Sequence, residues 1–162
     1  EMLQLTKTVL NHDMKMVRKM EGKSAMDILE EAGIHPNRPV RLVVVRTFAK
    51  HPLVLEECLM PVVPLVAVAD FEEALETALF TEQGYRHTAM VHSQCIDRLS
   101  KAAKIMNTTV FIKNGSSLAG IGLNGEEMAS FTIANVTGEG ITTARDFACK
   151  RSCTLTSGFS LR

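Results

Sequence analysis

The chain has 162 residues, enough for a domain with a true hydrophobic core, and 18 Lys+Arg against 18 Asp+Glu leave a formal net charge of zero. That balance, with no long basic block, argues against a nucleic-acid binder, whose footprint is a cationic stripe. Hydrophobic residues make up 46% of the chain, yet the longest apolar stretch, 58–69, is broken by Pro61 and Pro64. It falls short of the roughly 20 residues that cross a bilayer, so no membrane segment is expected.

The start, EMLQLTKTVLNHD, is charged and has no small-residue cleavage site, so no signal peptide is expected there, and the missing initiator methionine reads as an excised piece. Met2, Leu5, Val9, Leu10, Met14 and Val17 repeat at helical spacing and predict a helix through the first twenty residues, with NHD at 11–13 as its weak point. GKSAMDILEEAGI predicts a second helix. Ser24 caps it, Asp27 completes a capping-box variant, Gly33 stops it, and Ala25, Ile28, Leu29 and Ala32 share one face. HPNRP (35–39) is a turn, and VRLVVV (40–45) and LVAVA (65–69) read as buried strands. Asp70 caps the next helix, with Glu73 at its third position and an apolar stripe of Phe71, Ala74, Leu75, Ala78 and Leu79.

HTAMVHS (87–93) is a third strand, a helix opens at Ser93 with Ile96, Leu99, Ala103 and Met106 inward, and TTVFIKNG (108–115) is a fourth strand. Apolar strands alternating with amphipathic helices predict an α/β fold, a largely parallel sheet with helices on both faces. From about residue 114 the texture changes to a glycine-rich terminal segment between Gly115 and Gly140. Residues 126–133 read as extended, 141–149 as a short helix and 152–157 as a last strand.

Several groupings invite chemistry. GIGLNG places Gly120, Gly122 and Gly125 in a G-x-G-x-x-G, but a dinucleotide loop should follow a strand directly and open a long helix, and residues 126–133 read as extended instead. TGEGITTAR (137–145) puts glycines ahead of a predicted helix start, a place where free amides hold phosphate. His12, His35, His51, His87 and His92 lack metal-ligand spacing. Cys58, Cys95, Cys149 and Cys153 form no C-x-x-C, so no metal site is expected and free thiols of a cytoplasmic protein are the plain reading. A Cys–His nucleophile pair, Cys58 with His51 or Cys95 with His92, stays open on spacing alone.

The stretch EECLMPVVPLVAVADFEEALETA, followed by RHTAMVHS, TTVFIKNG and FTIANVTGEGITTARDF…KRSCTL, resembles the aldehyde dehydrogenase superfamily. The branch it resembles is the CoA-acylating aldehyde dehydrogenases of ethanolamine and propanediol utilisation. Blocks agree in order and spacing from about Gly22 to Arg162, and Leu59–Met60 stand where the wider superfamily has Phe-Gly. The resemblance implies that residues 1–162 are the C-terminal part of an aldehyde dehydrogenase-like catalytic domain. It implies oxidation of a short-chain aldehyde to acyl-CoA with NAD through a cysteine thioester, in the cytoplasm or a bacterial microcompartment. The family's nucleophilic cysteine and nucleotide-binding domain lie upstream of the matched region. The chain alone is therefore expected to be inactive and to bind no cofactor by itself, its partners being that N-terminal cofactor domain and a second copy in a homo-oligomer.

By the same resemblance, Glu57 takes the position whose carboxylate hydrogen-bonds the nicotinamide ribose, and Phe131, Thr132 and Ile133 match a stretch near the substrate tunnel. Two rivals remain on the sequence alone: a non-catalytic α/β interaction module, and a thiol-dependent acyltransferase using Cys95 or Cys149.

Overall fold

In the computed structural model, residues 1–125, 130, 132–134, 140–154 and 156 are described. They divide into two units, Glu1–Tyr85 and Arg86–Arg162.

The first unit opens with helix α1, Met2–Val9, which buries Leu5 and Val9. The helix stops well short of twenty residues because Asn11 turns the chain. Its side-chain oxygen accepts from the amides of Asp13 and Lys15, both at 2.9 Å, and Met14 takes a left-handed φ of 59°. Leu10 and Met16 then face each other in an antiparallel bridge, and a short 3₁₀ turn, Arg18–Met20, follows. Helix α2, Ala25–Glu31, carries the full Ser24–Asp27 capping box, and the two hydrogen bonds to Ser24 hold the Asp27 carboxyl below its usual value. Gly33 leaves the helix at a φ of 68°, which favours glycine.

Strands β1, Val43–Thr47, and β2, Val62–Val66, lie parallel, with Val43 opposite Val62 and Thr47 opposite Val66. Both are displaced by about three residues from the sequence expectation. Prolines 61 and 64 read as breakers, but a proline is permitted on an edge strand, and β2 pairs with β1 alone among the described residues. Helix α3, Pro52–Leu55, sits in the crossover between the strands. Sequence periodicity cannot register an element of one turn.

The core of this unit joins Leu5, Val9, Leu10, Met20, Ile28, Ala32, Val45, Leu53 and Val62. Val45 and Val62 face it, whereas Val44, Val63 and Leu65 on the other side of the strand pair are exposed. Helix α4, Phe71–Glu82, is capped as expected: the Glu73 amide donates to Asp70 at 2.9 Å, and the Glu73 carboxylate accepts from the Ala69 amide at 2.6 Å.

In the second unit, β3, Thr88–Val91, and β4, Val110–Lys113, are again parallel, joined through helix α5, Ile96–Met106. The predicted parallel arrangement thus holds in both units. Asn114 ties the far ends of the two strands by accepting from the Ser93 amide (2.8 Å) and donating to the Ser93 carbonyl (2.9 Å). Strands β5, Thr132–Ala134, and β6, Gly140–Thr142, pair antiparallel.

The helix predicted over 141–149 does not form. Its first residues belong to β6, and Asp146 then folds back to accept from the amide and hydroxyl of Thr143, at 2.6 and 3.0 Å, closing a turn instead. Residues 151–154 are irregular where a strand over 152–157 is expected, and the rest of that segment falls largely outside the described residues. Among the described residues no helix is long and apolar enough to cross a membrane.

Candidate functional site

The paired carboxylates Glu56 and Glu57 sit where the chain leaves α3 and heads for β2. Pro52 at the first helical position pre-sets the backbone for a turn of helix, and the His51 ring caps it, its Nδ1 accepting from the Leu53 amide at 3.2 Å. Leu53, 1% exposed, drives into the core. Glu56 takes extended φ and ψ and ends the helix, so the chain emerges straight at Glu57.

Four further contacts pin the segment around the two carboxylates. The Gly22 amide donates to the Leu59 carbonyl (2.8 Å), and the Val43 amide at the head of β1 donates to the Pro61 carbonyl (2.9 Å). The Gln83 side chain, just past α4, donates to the Leu55 carbonyl (2.8 Å), and the Cys58 thiol donates to the Leu53 carbonyl (3.5 Å). The Glu57 carboxylate itself is exposed and has no hydrogen bond or ion pair among the described residues. An anion on an anchored backbone, left without an internal partner, is available to hydroxyl or cationic groups of a ligand.

Paired charges beside core therefore make sense. Leu53 and the half-buried Cys58 supply the burial while the two carboxylates face water.

The same geometry disposes of other candidates. Burial, and secondarily the Glu56 charge, push the Cys58 thiol above its usual range, so it stays protonated and serves as a packing group beside Met16. Among the described residues no cysteine is hydrogen-bonded to a histidine; His51 spends Nδ1 on its cap and His87 Nδ1 lies 2.7 Å from the Thr88 hydroxyl. No cluster of three or more metal-ligating side chains occurs among them either.

The G-x-G-x-x-G is a packing motif. The Gly122 and Leu123 amides donate to the Ala119 and Leu118 carbonyls and are not free for phosphate. A Cβ at Gly120 would stand 2.6 Å from Val110 Cγ1, and one at Gly125 would collide with the Ala119 carbonyl. Gly125→Ala is accordingly expected to cost about 1–3 kcal/mol, read as a lower denaturant midpoint, because the obstacle is backbone and cannot swing aside.

Gly140 opens a strand, so no helix N-terminus stands at the end of TGEG. Of the expected pocket residues, Phe131 lies outside the described residues. Thr132 and Ile133 lie in β5, opposite Thr142 and Ile141.

On the sequence alone His51 reads as an ordinary histidine. Its signal is the His-Pro pair at a helix start, legible only once the single turn of α3 is known.

No protein-family model matches the chain. The chain is 50% identical over 146 residues, 90% of its length, to the propanal dehydrogenase (CoA-propanoylating) of Salmonella typhimurium, of which that match covers 32%. It superposes with a TM-score of 0.88 and 40% identity on Rhodopseudomonas palustris propionaldehyde dehydrogenase with bound propionyl-CoA, covering 94% of this chain and 34% of that one. It also superposes, with a TM-score of 0.87 and 35% identity, on a propionaldehyde dehydrogenase from the Clostridium phytofermentans fucose utilisation bacterial microcompartment. There it covers 99% of this chain and 37% of that one. The chain thus spans about a third of the length of the relatives it matches.

Proposed function

We propose that this chain, a homologue of the CoA-acylating aldehyde dehydrogenases over nine-tenths of its length, is the C-terminal third of such an enzyme. The whole oxidises a short-chain aldehyde to acyl-CoA with NAD and CoA. NAD, when bound, supplies the hydride acceptor. This chain's contribution is the Glu57 carboxylate, which accepts hydrogen bonds from the two hydroxyls of the nicotinamide ribose and so fixes the ring against the reacting carbon.

The observation that carries this reading is the exposed, unpartnered Glu57 carboxylate on a segment held by Leu53, Gly22, Val43 and Gln83. The donor set fits: a ribose diol offers two O–H groups, and one carboxylate accepts both. Phe131, Thr132 and Ile133 line the acyl pocket in this reading. The partners are the upstream cofactor domain of the same polypeptide and a second copy of the enzyme, in the cytoplasm or inside a microcompartment.

The test is Glu57→Gln in the full-length enzyme. The amide keeps the shape and loses the charge. Hydrogen bonds to a charged group contribute about 1.5–3 kcal/mol, so the Michaelis constant for NAD or the hydride-transfer rate should change roughly ten-fold or more. Kinetics unchanged toward NAD and CoA would remove Glu57 from the site. The rival reading, a non-catalytic interaction module, predicts a native reading frame without the upstream residues of the relatives.

A further inference from the structure

The turn that delivers Glu57 begins at one titratable group, its His51 cap. His51 is 7% exposed, packs edge-on against Phe48 with ring centroids 5.4 Å apart, and receives the Leu53 amide at Nδ1. A histidine accepts at Nδ1 only while that nitrogen carries a lone pair. Protonation therefore removes the cap and sets two N–H donors against each other. Helix α3 has four residues, too few to persist on backbone hydrogen bonds alone. Its last carbonyls are also where the downstream segment is tied, through Cys58 to Leu53 and Gln83 to Leu55.

We propose that His51 is a positioning residue for Glu57, holding the carboxylate's segment in its cofactor-binding place only while the imidazole is neutral. This rests on the cofactor role of Glu57 proposed above.

The surroundings offer the imidazolium no compensation. α4, packed against α3, carries Glu72, Glu73, Glu76 and Glu82, β2 carries no charge, and Lys50, Glu56 and Glu57 flank α3 itself. None of these charges holds the proton on, and burial alone pulls the ring's pKa below the ordinary 6.5. A chain released from the fold binds a proton near 6.5, the folded ring only at lower pH. The cap is complete above 6.5 and is lost as pH falls through the depressed value.

Two measurements test it. In this chain, an NMR titration from about pH 8 to about pH 5 should show the His51 ring, the Leu53 amide and the Glu57 amide moving with one midpoint, below the ordinary histidine value. In His51→Asn, whose side chain caps without titrating, the Leu53 and Glu57 transitions should vanish. In the full-length enzyme, the Michaelis constant for NAD should rise roughly three- to ten-fold on acidification from about pH 7.5 to about pH 5.5 beyond any rise in kcat, and His51→Asn should flatten that rise.

Leu53 and Glu57 amides that stay still while the His51 ring titrates would overturn the inference, as would an acid rise retained in His51→Asn. If the amides move together but Glu57→Gln leaves NAD kinetics untouched, the cofactor reading falls and takes the functional half of this inference with it, the mechanical coupling standing. If Glu57→Gln is damaging and the coupling is absent, only the inference falls.

Discussion

Purified on its own, this chain is expected to form no NADH from propanal or acetaldehyde in the presence of NAD and CoA, at any pH. Acyl transfer through a thioester needs a thiolate, a base or positive field to make it, and a cradle for the cofactor phosphates. The described residues supply none of the three together. Cys58 is held as a thiol by burial and by Glu56. Cys95, Cys149 and Cys153 are exposed, and among the described residues no histidine is bonded to any of them. In the one glycine pattern of dinucleotide type, the Gly122 and Leu123 amides are already bonded to the Ala119 and Leu118 carbonyls.

The measurement is absorbance of NADH against a no-protein control. Steady turnover would show that one of these thiols is activated, and the thiol-dependent acyltransferase reading through Cys95 or Cys149 would displace the one proposed here. Restoring activity by supplying the upstream two-thirds of a relative as a separate polypeptide would support the division of labour directly.

The features most easily seen in the sequence are those that announce themselves locally. Ser24 with Asp27, and Asp70 with Glu73, mark helix starts by side-chain chemistry that acts within three residues, and both caps are made. A parallel pair needs a crossover, usually a helix, and the α5 stripe between β3 and β4 is legible in the sequence, whereas the one-turn α3 between β1 and β2 is not.

The features that escape a sequence reading depend on groups distant in the chain or on competing local bonds. The first helix ends at Val9 because Asn11 bonds Asp13 and Lys15, a choice that competes with helix and leaves no trace in apolar spacing. β2 begins three residues early and takes Pro64 within it, which a strand pairing on one side only, as β2 does among the described residues, can accommodate, and that is a property of the sheet, not of the segment. TTARDFAC fails as a helix because Asp146 prefers the Thr143 amide and hydroxyl. Glu57 is proposed on resemblance alone, while the way its segment is held, by a one-turn helix capped by His51 and anchored by Leu53, is visible only in three dimensions.

Leu53→Ala is expected to be among the most damaging single changes in the first unit. The side chain is 1% exposed and packs in the cluster that holds Val9, Ile28, Val45 and Val62, residues drawn from two helices and both strands. Removing a buried leucine down to alanine costs about 2–5 kcal/mol, the upper part of that range where the surroundings cannot collapse into the space. Here they cannot collapse easily. Pro52 fixes the backbone on one side, and the strand register Val43↔Val62 to Thr47↔Val66 fixes it on the other. Against a total of roughly 5–15 kcal/mol for a domain, the change removes a large part of the stability.

Urea unfolding should show a markedly lower midpoint with the slope retained. Leu3→Ala, at a side chain 76% exposed, should stay within about 0.5 kcal/mol of the parent. The consequence reaches the site. Within Pro52–Leu55 no other side chain is buried, so the variant should also loosen the turn that carries Glu56 and Glu57, and in the full-length enzyme the Michaelis constant for NAD should rise while the protein remains folded at low temperature. A Leu53→Ala midpoint indistinguishable from that of Leu3→Ala would mean that α3 is held by something other than this side chain, and the account of how Glu57 is presented would have to be rebuilt around the Gln83 and Gly22 contacts.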